Sequence, residues 1–418
     1  MNIKGLSVLG LYLSGNANNG TNAGLAYSNS NNTASNTNAN IGSHLCYNNE
    51  RRPRLLAKNR LCETSVGSES EGAQTSSREM KRVNNIFERI CSLDNLQAAD
   101  ERARKRKQYS YGVRLHDKRR EKNLKELSEK MLKGEYRTSE YSVFTIHEPK
   151  EREIYRLPYY PDRIVHHAIM NVLEPIWVGT FIKNTYSCIK DRGIHKAVND
   201  VKDALRSDAD GTRYCLKIDI RKFYPSIDHD VLKGIIRKKI KDVRLLAMLD
   251  EIIDSAEGVP IGNYLSQFFA NLYLSYFDHW VKEGARVKHY FRYADDMVFF
   301  GEDKESLHRL LDEVKTQLAE LKLQVKDNWQ VFPTVARGID FLGYVFFHDH
   351  TRLRKSIKKR MFRKVGRVRI LSESQKHQAM ASWIGWLQYC NSKRLKVKLN
   401  KRLKYEIFNT ADSTKVRQ

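Results

Sequence analysis

Two short apolar runs with a polar turn between them form the clearest pattern in this chain. The runs cover residues 287–291 and 297–300 and are rich in Val, Tyr and Phe. Runs of this length and composition, joined by a tight turn, predict a β-hairpin. The turn, residues 293–296, has the sequence Tyr-Ala-Asp-Asp. The hairpin is therefore expected to carry two adjacent carboxylates at its tip.

The pattern on both sides of this hairpin predicts further strands and helices. Residues 216–219 form an apolar run that ends in an acid, and another strand is expected to begin at 323–326. Apolar side chains at helical spacing predict one helix after Gly262 and a second over 307–321. The hairpin therefore stands within a region that alternates between strand and helix periodicity.

The two ends of the chain differ from this central part and from each other. Residues 5–49 contain no Lys, Arg, Asp or Glu and are rich in Asn, so they offer too little apolar surface to order a backbone. We expect residues 1–75 to form a flexible leader. Residues 76–140 and 350–418 have helical periodicity and dense Lys and Arg. Such faces are typical of solvated helices or of surfaces that contact RNA phosphates.

The charge of the whole chain adds the expectation of a polyanionic partner. Its 418 residues carry a formal net charge of +25. That balance is typical of nucleic-acid-binding proteins, although ribosome-associated and membrane-surface proteins share it. No run of about 18 apolar residues is present, so no transmembrane helix is expected. The six cysteines have no paired or metal-ligand spacing, which predicts reduced thiols in a cytoplasmic protein.

A third acid gives the two acids of the hairpin a possible chemical role. Asp295 and Asp296 are costly to hold side by side unless a cation lies between them. Magnesium suits such a place, because it accepts few carboxylates together with water and substrate phosphates. Asp219 completes the three carboxylates that a two-metal phosphoryl-transfer site requires. The alternatives are a solvated turn for the pair and a buried structural acid for Asp219.

Four sequence blocks, in this order, resemble the palm of a reverse transcriptase. They are KIDIRKFYPSI, PIGNYLSQFFANLYL, YADD and GIDFLGY. The resemblance implies an α+β right-hand polymerase with fingers, palm and thumb, in which helices flank an antiparallel palm sheet. It also implies that fingers and palm cover residues 141–349 and that a thumb covers 350–418, after the basic helical region 76–140.

The resemblance assigns the central chemistry to individual residues. Asp219, Asp295 and Asp296 correspond to the catalytic acids, and together with Ile220 they would hold two magnesium ions. Lys326 is expected to donate a proton to the leaving pyrophosphate, although Lys322 lies close to it in the sequence.

Further residues are expected to bind the nucleotide and the primer. Lys190 and Arg192 would contact the incoming triphosphate, and Asp191 stands between them where we expect glycine. Tyr224 would exclude the 2′-hydroxyl of a ribonucleotide, while its neighbour Phe223 is either part of the core or part of the nucleotide site. The other contacts that the resemblance implies are Gly262 and Gln267 for the nucleotide, and Leu342, Gly343 and Tyr344 for the primer grip.

The middle block indicates a class of reverse transcriptase. Retroviral and group II intron enzymes usually have Gln-Gly and Ser-Pro where this chain has Ile261-Gly262 and Ser266-Gln267. The pattern is similar to the enzymes of diversity-generating retroelements, which rewrite a target gene through an error-prone cDNA copy. Ile261 would then lower fidelity opposite template adenines. The leader would be a read-through of template-repeat sequence.

The resemblance also implies partners and leaves two other functions open. The partners are template RNA, the RNA/cDNA duplex, deoxynucleotides and a small basic accessory variability determinant protein, with no membrane. One alternative is a reverse transcriptase of another class, from a retron, a phage-defence system or a group II intron. The IGNYLSQ block and the lack of a nuclease segment after the thumb argue against an intron enzyme. The other alternative is a non-catalytic RNA-binding module, against which the complete set of three acids argues.

Overall fold

A computed structural model of the protein describes residues 82–147 and 151–408. The predicted leader and the hypothesis about its origin lie outside these residues. In the described part, helices and short antiparallel strands alternate, so the predicted α+β architecture is confirmed. The helices are α1 (Phe87–Cys91), α2 (Leu93–Arg104), α3 (Tyr111–Asp117), α4 (Arg120–Lys133), α5 (Ile164–Val178), α6 (Ile194–Ser207), α7 (His229–Arg237), α8 (Val243–Asp254), α9 (Ser266–Tyr273), α10 (Ser275–His279), α11 (Lys304–Glu320), α12 (Thr334–Arg337), α13 (Lys355–Val368), α14 (Glu373–Gln388) and α15 (Lys393–Leu403).

The strands form three antiparallel sheets in the described ranges. A hairpin consists of β1 (Ser142–Ile146) and β2 (Arg152–Arg156). The central sheet has the order β4-β5-β3-β6, with β3 (Tyr214–Asp219), β4 (Tyr290–Tyr293), β5 (Asp296–Gly301) and β6 (Gln330–Pro333). The third sheet contains β7 (Ile339–Phe341), β8 (Tyr344–Phe346) and β9 (Thr351–Leu353). Strand β9 pairs with β8 across the boundary that we predicted between residues 349 and 350.

The central sheet separates two apolar cores because side chains alternate along its strands. Leu216 and Ile218 of β3 face a core shared with α5, α8 and α9. Cys215, on the opposite face, belongs to a second core together with α6, the third sheet and the C-terminal helices. The basic C-terminal helices and the back of the central sheet, including Cys215 of β3 and Phe332 of β6, therefore share this second core.

Local sequence signals account for several elements. Helix α11 starts where the side chain of Asp303 accepts a hydrogen bond from the Ser306 amide at 2.7 Å. Helix α9 begins at Ser266, as the apolar spacing predicts. The prediction of a regular strand that begins at 323–326 is wrong. Only Val325 forms a bridge there, to Ile220, supported by backbone hydrogen bonds from Lys326 to Asp219 and from Arg221 to Gln324.

Two further expectations concern the described residues alone. Within 82–147 and 151–408, no helix is both long and apolar enough to cross a membrane. The four cysteines in these ranges, Cys91, Cys188, Cys215 and Cys390, are all free thiols.

Candidate active site

The predicted hairpin with its acidic tip is present. Strands β4 and β5 pair antiparallel, and Tyr293 lies opposite Asp296. The two residues between them, Ala294 and Asp295, make the turn, and Ala294 has a left-handed φ of 56°. Two-residue hairpin turns require such backbone geometry because it matches the twist of the strands. The turn therefore fixes Asp295 and Asp296 at the end of the sheet.

The register of the central sheet brings the third acid to the same place. Asp219, the last residue of β3, pairs with Asp296, the first residue of β5. Directly opposed residues of antiparallel strands place their side chains on the same face at close range. Asp219 and Asp296 are buried, with 5% and 4% of their surface exposed, whereas Asp295 at the turn is half-buried. The structure thus unites the three acids that the sequence analysis selected.

The charges of these carboxylates are poorly compensated. Burial raises the pKa of Asp296 to about 6; Lys217 opposes this shift and Asp219 adds to it. Burial also raises the pKa of Asp295 well above its ordinary value, with Asp219 as the next cause. The Oδ1 atom of Asp296 is buried and accepts no hydrogen bond from the described residues. Buried carboxylate oxygens without donors are costly, and a bound cation would satisfy them.

The described ranges contain no ready-formed group of three or more His, Cys, Asp or Glu side chains that could hold a metal ion. The fit to magnesium therefore rests on the chemistry of the donors: three carboxylates at one corner, one of them with an unsatisfied buried oxygen. Oxygen ligands of this type are those that magnesium takes, and it needs only one or two carboxylates from the protein.

Two lysines stand beside the acids. The Nζ atom of Lys326 is 3.4 Å from Asp219 Oδ2, and its amide donates to the Asp219 carbonyl at 2.8 Å. Lys322, the neighbour that the sequence left as an alternative, instead pairs with Asp228 at 2.6 Å. The structure therefore brings Lys326, and not Lys322, to the acids.

The second lysine, Lys217, was missed by the sequence analysis. Its Nζ atom lies 3.6 Å from Asp296 Oδ1 and donates a hydrogen bond to the carbonyl of Asp340 at 2.5 Å. Asp340 belongs to β7, and its carboxylate accepts a hydrogen bond from Arg354 at 2.5 Å. Lys217 thus joins the acidic corner to the sheet that carries the predicted primer grip. Its position two residues before Asp219, on the same face of β3, was the available signal.

Beneath the turn lies a buried ionic network that the sequence analysis also missed. Arg292 of β4 is fully buried and forms three hydrogen bonds with Asp278, of 2.7 and 3.0 Å from Nε and 2.5 Å from Nη2. Its Nη1 atom donates to the carbonyl of Ala294 at 3.1 Å, inside the turn itself. Tyr290 and Thr185 donate further hydrogen bonds to the Asp278 carboxylate. An arginine within an apolar strand was the signal for such a support.

The predicted triphosphate contacts have different surroundings. Lys190 is exposed, whereas Arg192 is half-buried and donates a hydrogen bond to the carbonyl of Ile182 at 2.7 Å. Asp191 has a φ of 61°, which explains why glycine is expected there and why aspartate is tolerated.

A further cation, Arg152 of β2, was missed by the sequence analysis. It is half-buried; burial lowers its pKa, and the charges of Asp295, Tyr224 and Asp219 oppose that shift.

The aromatic pair after Asp219 is buried close to the acids. Phe223 and Tyr224 are 2% and 7% exposed, and their ring centroids are 5.5 Å apart. Burial raises the pKa of Tyr224 well above its ordinary value, and Cys188 and Asp295 add to the shift. The position of this buried ring, five residues after Asp219, is compatible with a contact to the sugar of a bound nucleotide. Phe223 belongs to the first core.

The middle block, which contains Ile261 and Gly262, packs against the hairpin of β1 and β2. The carbonyl of Ile261 accepts a hydrogen bond from the Tyr155 amide at 2.7 Å. Gly262 has a φ of 131°, and a Cβ atom there would lie 2.1 Å from the Tyr155 carbonyl oxygen. Glycine is therefore required by the approach of strand β2, and the contact of Gly262 with the nucleotide stays a prediction. Gln267 lies half-buried in the first turn of α9.

The predicted primer grip is the turn between β7 and β8. Leu342 and Gly343 occupy this turn with φ angles of 53° and 83°. The carbonyl of Gly343 accepts a hydrogen bond from the Arg354 amide at 2.9 Å. Tyr344 points into the second core, where its hydroxyl donates to the carbonyl of Trp386 at 3.0 Å. The turn is thereby tied to the C-terminal helices.

Residues 148–346 match the family model described as reverse transcriptase (RNA-dependent DNA polymerase). The matched span includes β2 to β8 and, with them, all three acids. The chain carries a reverse transcriptase domain.

Curated relatives of the domain include bacterial and intron-encoded proteins. Protein YkfC of Escherichia coli (strain K12) is 26% identical over 242 residues, which cover 47% of this chain and 63% of YkfC. Group II intron-encoded protein LtrA of Lactococcus lactis subsp. cremoris is 26% identical over 136 residues, which cover 30% of this chain and 22% of LtrA. The chain therefore spans less than two thirds of the length of these relatives.

A solved structure is also similar. The apo telomerase from Candida Tropicalis aligns with a TM-score of 0.43 and 13% sequence identity, over 64% of this chain and 57% of that chain.

Proposed function

We propose that the protein is an RNA-directed DNA polymerase. The observation that carries this proposal is the pairing of Asp219 with Asp296 at the end of the central sheet, with Asp295 in the adjacent turn. The reverse transcriptase domain encloses all three residues. No structural role explains the concentration of like charge at this corner, because burial and mutual repulsion both raise the pKa values of Asp295 and Asp296.

The three aspartates, with Ile220, would hold two magnesium ions. When bound, these ions stabilise the charge on the transferred phosphoryl group and activate the attacking hydroxyl. The chain itself positions the reactants. Lys326, beside Asp219, is placed to transfer a proton to the leaving pyrophosphate, and Arg152 would neutralise the triphosphate.

Other residues select and position the substrates. The buried Tyr224 would exclude a 2′-hydroxyl, so that deoxynucleotides are incorporated. Lys190 and Arg192 would contact the triphosphate from the fingers. Lys190 is the more exposed of the two, so its side chain can reach a phosphate in the solvent. The turn at Leu342 and Gly343 would hold the primer backbone. The basic helices α13 and α15 would clamp the RNA/cDNA duplex as a thumb.

We further propose that the enzyme belongs to the diversity-generating class, on the basis of Ile261-Gly262 and Ser266-Gln267. A small basic accessory protein and a template-repeat RNA would then be its partners. A second candidate is an enzyme of the group II intron type, which the similarity to LtrA favours.

Primer extension on a defined RNA template tests both the polymerase activity and the assignment to the diversity-generating class. The reaction contains magnesium and all four deoxynucleotides, and the cDNA is sequenced. Magnesium-dependent cDNA is expected, with errors concentrated opposite template adenines. Rare and evenly distributed errors would retain the polymerase and favour the intron-type candidate. If no cDNA forms even with native RNA and a candidate accessory protein, the chain is an RNA-binding module instead.

The sugar gate is tested by one substitution in the same assay. Tyr224→Val is expected to admit ribonucleotides, and Phe223→Leu, its neighbour in the core, serves as the matched control. If the two variants discriminate between ribo- and deoxynucleotides equally well, Tyr224 does not contact the sugar.

A further inference from the structure

A shallow cleft of about 410 Å³ opens at the outer edge of the central sheet. Strand β6, which forms one wall, is the edge strand of that sheet, and helices α11 and α12 form the others. The lining residues are Lys304, His308, Trp329, Gln330, Val331, Phe332 and Arg337. The lining therefore combines aromatic rings with cations and contains no carboxylate. None of the roles assigned above uses these residues.

The aromatic and cationic groups of the cleft are held in place by one another. The guanidinium of Arg337 stacks on the ring of Phe332 at 4.1 Å and donates a hydrogen bond to Gln330 Oε1. The imidazole of His308 approaches Trp329 edge-on, with 5.8 Å between the ring centroids. Lys315 of α11 lies 5.2 Å from the Trp329 ring centroid and adds another positive charge. Trp329 is thus a half-buried ring with one lysine over its face and one imidazole beside it.

Three acids of α11 and its N-cap already have partners. Asp303 caps the helix through the Ser306 amide, Glu305 pairs with Arg309 at 2.8 Å, and Asp312 pairs with Lys315 at 3.5 Å. Lys304 stands in the first turn of the same helix, where the macrodipole adds to the attraction for an anion. The cleft is therefore suited to a ligand that joins a flat ring to a negative charge.

We propose that this cleft binds a nucleotide of single-stranded RNA, with its base on Trp329 and its phosphate between Lys304 and Arg337. Base stacking on an aromatic side chain, beside a positively charged groove, is the general mode by which proteins hold single strands without reading their sequence. The size of the cleft agrees with a ligand of this class. The site would anchor RNA outside the duplex at the acidic corner. A free nucleoside triphosphate has the same chemistry, so the experiment must separate the two sources.

Binding of a fluorescent single-stranded RNA oligonucleotide to the full chain tests the proposal. Trp329→Ala is expected to weaken binding about tenfold, since stacking contributes on this scale per base. Arg337→Ala is expected to lower the slope of log affinity against log salt by about 1, because one phosphate contact is lost. Arg309→Ala, an exposed residue of α11 that pairs with Glu305 and does not line the cleft, is the matched control and should bind as the unsubstituted protein does.

The remaining measurements exclude loss of folding and identify the source of the phosphate. Trp329→Phe keeps a stacking ring and should retain most of the affinity, so a general folding defect cannot imitate the result. ATP at millimolar concentration should not displace the RNA. Equal affinities of the Trp329→Ala, Arg337→Ala and Arg309→Ala variants would overturn the proposal, as would complete displacement by ATP. Extension of a short primer–template with an overhang of only a few template nucleotides should be unaffected in every variant, so this outcome is separable from failure of the polymerase proposal.

Discussion

Two buried aspartates, one in the N-terminal helices and one in the central sheet, differ in what surrounds them. Asp100 of α2 is fully buried, and its carboxylate accepts hydrogen bonds from Arg104 and Arg120, both at 2.6 Å, and from Tyr159 at 2.5 Å. Asp296 of β5 is almost as buried, yet one of its oxygens has no hydrogen-bond donor among the described residues.

The pKa values of the two carboxyl groups move in opposite directions. Burial raises the pKa of any carboxyl group, and it does so for Asp296, to about 6. At Asp100, hydrogen bonds from His116, Tyr159, Arg104 and Arg120 overcome the effect of burial and lower the pKa. The difference teaches that burial alone does not distinguish structural from functional charge. A compensated carboxylate joins helices, whereas an uncompensated one is available to a ligand.

Removal of one acid at the corner should have the largest effect. Asp296→Asn or Asp295→Asn is expected to reduce DNA synthesis by about 10³-fold or more, since metal-borne charge stabilisation contributes several kcal/mol to such reactions. RNA binding should be nearly unchanged, because phosphate contacts lie elsewhere. The melting temperature should not fall, because like charges are removed. Primer extension, RNA titration and thermal unfolding measure the three quantities.

The control for these variants is Asp312→Asn, on the exposed face of α11. Synthesis by the Asp296→Asn protein at a rate close to that of this control would refute the assignment of the acids.

Removal of the compensated acid should act on stability. Asp100→Asn is expected to lower the free energy of unfolding by about 3–5 kcal/mol, because the partly buried Arg104 and Arg120 lose their shared, fully buried partner. Chemical denaturation measures this change. Asp254→Asn, which removes the partner of Lys233 on the surface, should cost about 1 kcal/mol or less. Similar losses in the two variants would show that the Asp100 cluster is not a structural centre.

The two regions should also contribute pH dependence of opposite sign. Asp100 has a lowered pKa in the folded protein, so its stabilising effect is present above its ordinary value of 3.8 and is lost as the pH falls. Asp296 has a raised pKa, so its effect is present below 3.8 and is lost as the pH rises through about 6. Denaturation from pH 3 to pH 8 with a chelator present measures both.

The Asn variants show which residue causes which part of the pH dependence of stability. Asp100→Asn should flatten the acid side of the stability profile and Asp296→Asn the stretch between pH 4 and pH 6. A profile that neither substitution alters would mean that other groups govern the pH dependence.

The smallest effect is expected where the acidic corner meets the third sheet. Lys217→Met removes the link between Asp296 and the carbonyl of Asp340, so β7 and the turn at Leu342 should hold the primer less firmly. The KM for primer–template is expected to rise about tenfold, which corresponds to ~1.4 kcal/mol. Steady-state primer extension measures it. Lys233→Met, at a surface pair, is the matched control, and an equal KM in both variants would remove Lys217 from the site.

Much of the site follows from local sequence patterns. The β4–β5 hairpin, the start of α9 and the body of α11 are encoded by apolar periodicity and by nearby turn or capping residues, which act over a few positions. The identity of the three acids also emerged from the sequence, because Asp219 ends a predicted strand and Asp295 and Asp296 occupy a predicted turn. The expected strand at 323–326 failed because strand pairing depends on a distant partner.

The sequence by itself therefore determined the elements and the candidate acids, while the tertiary structure decided their environment. Only the register of β3 against β5 places Asp219 opposite Asp296, and only long-range packing brings Lys217 to β7 and Asp278 beneath the turn. It also decides that Lys326 and not Lys322 reaches the acids. Periodicity reports which face of an element is buried. It carries no information about which distant charge is buried beside it, and that pairing sets the pKa values and the chemistry of the site.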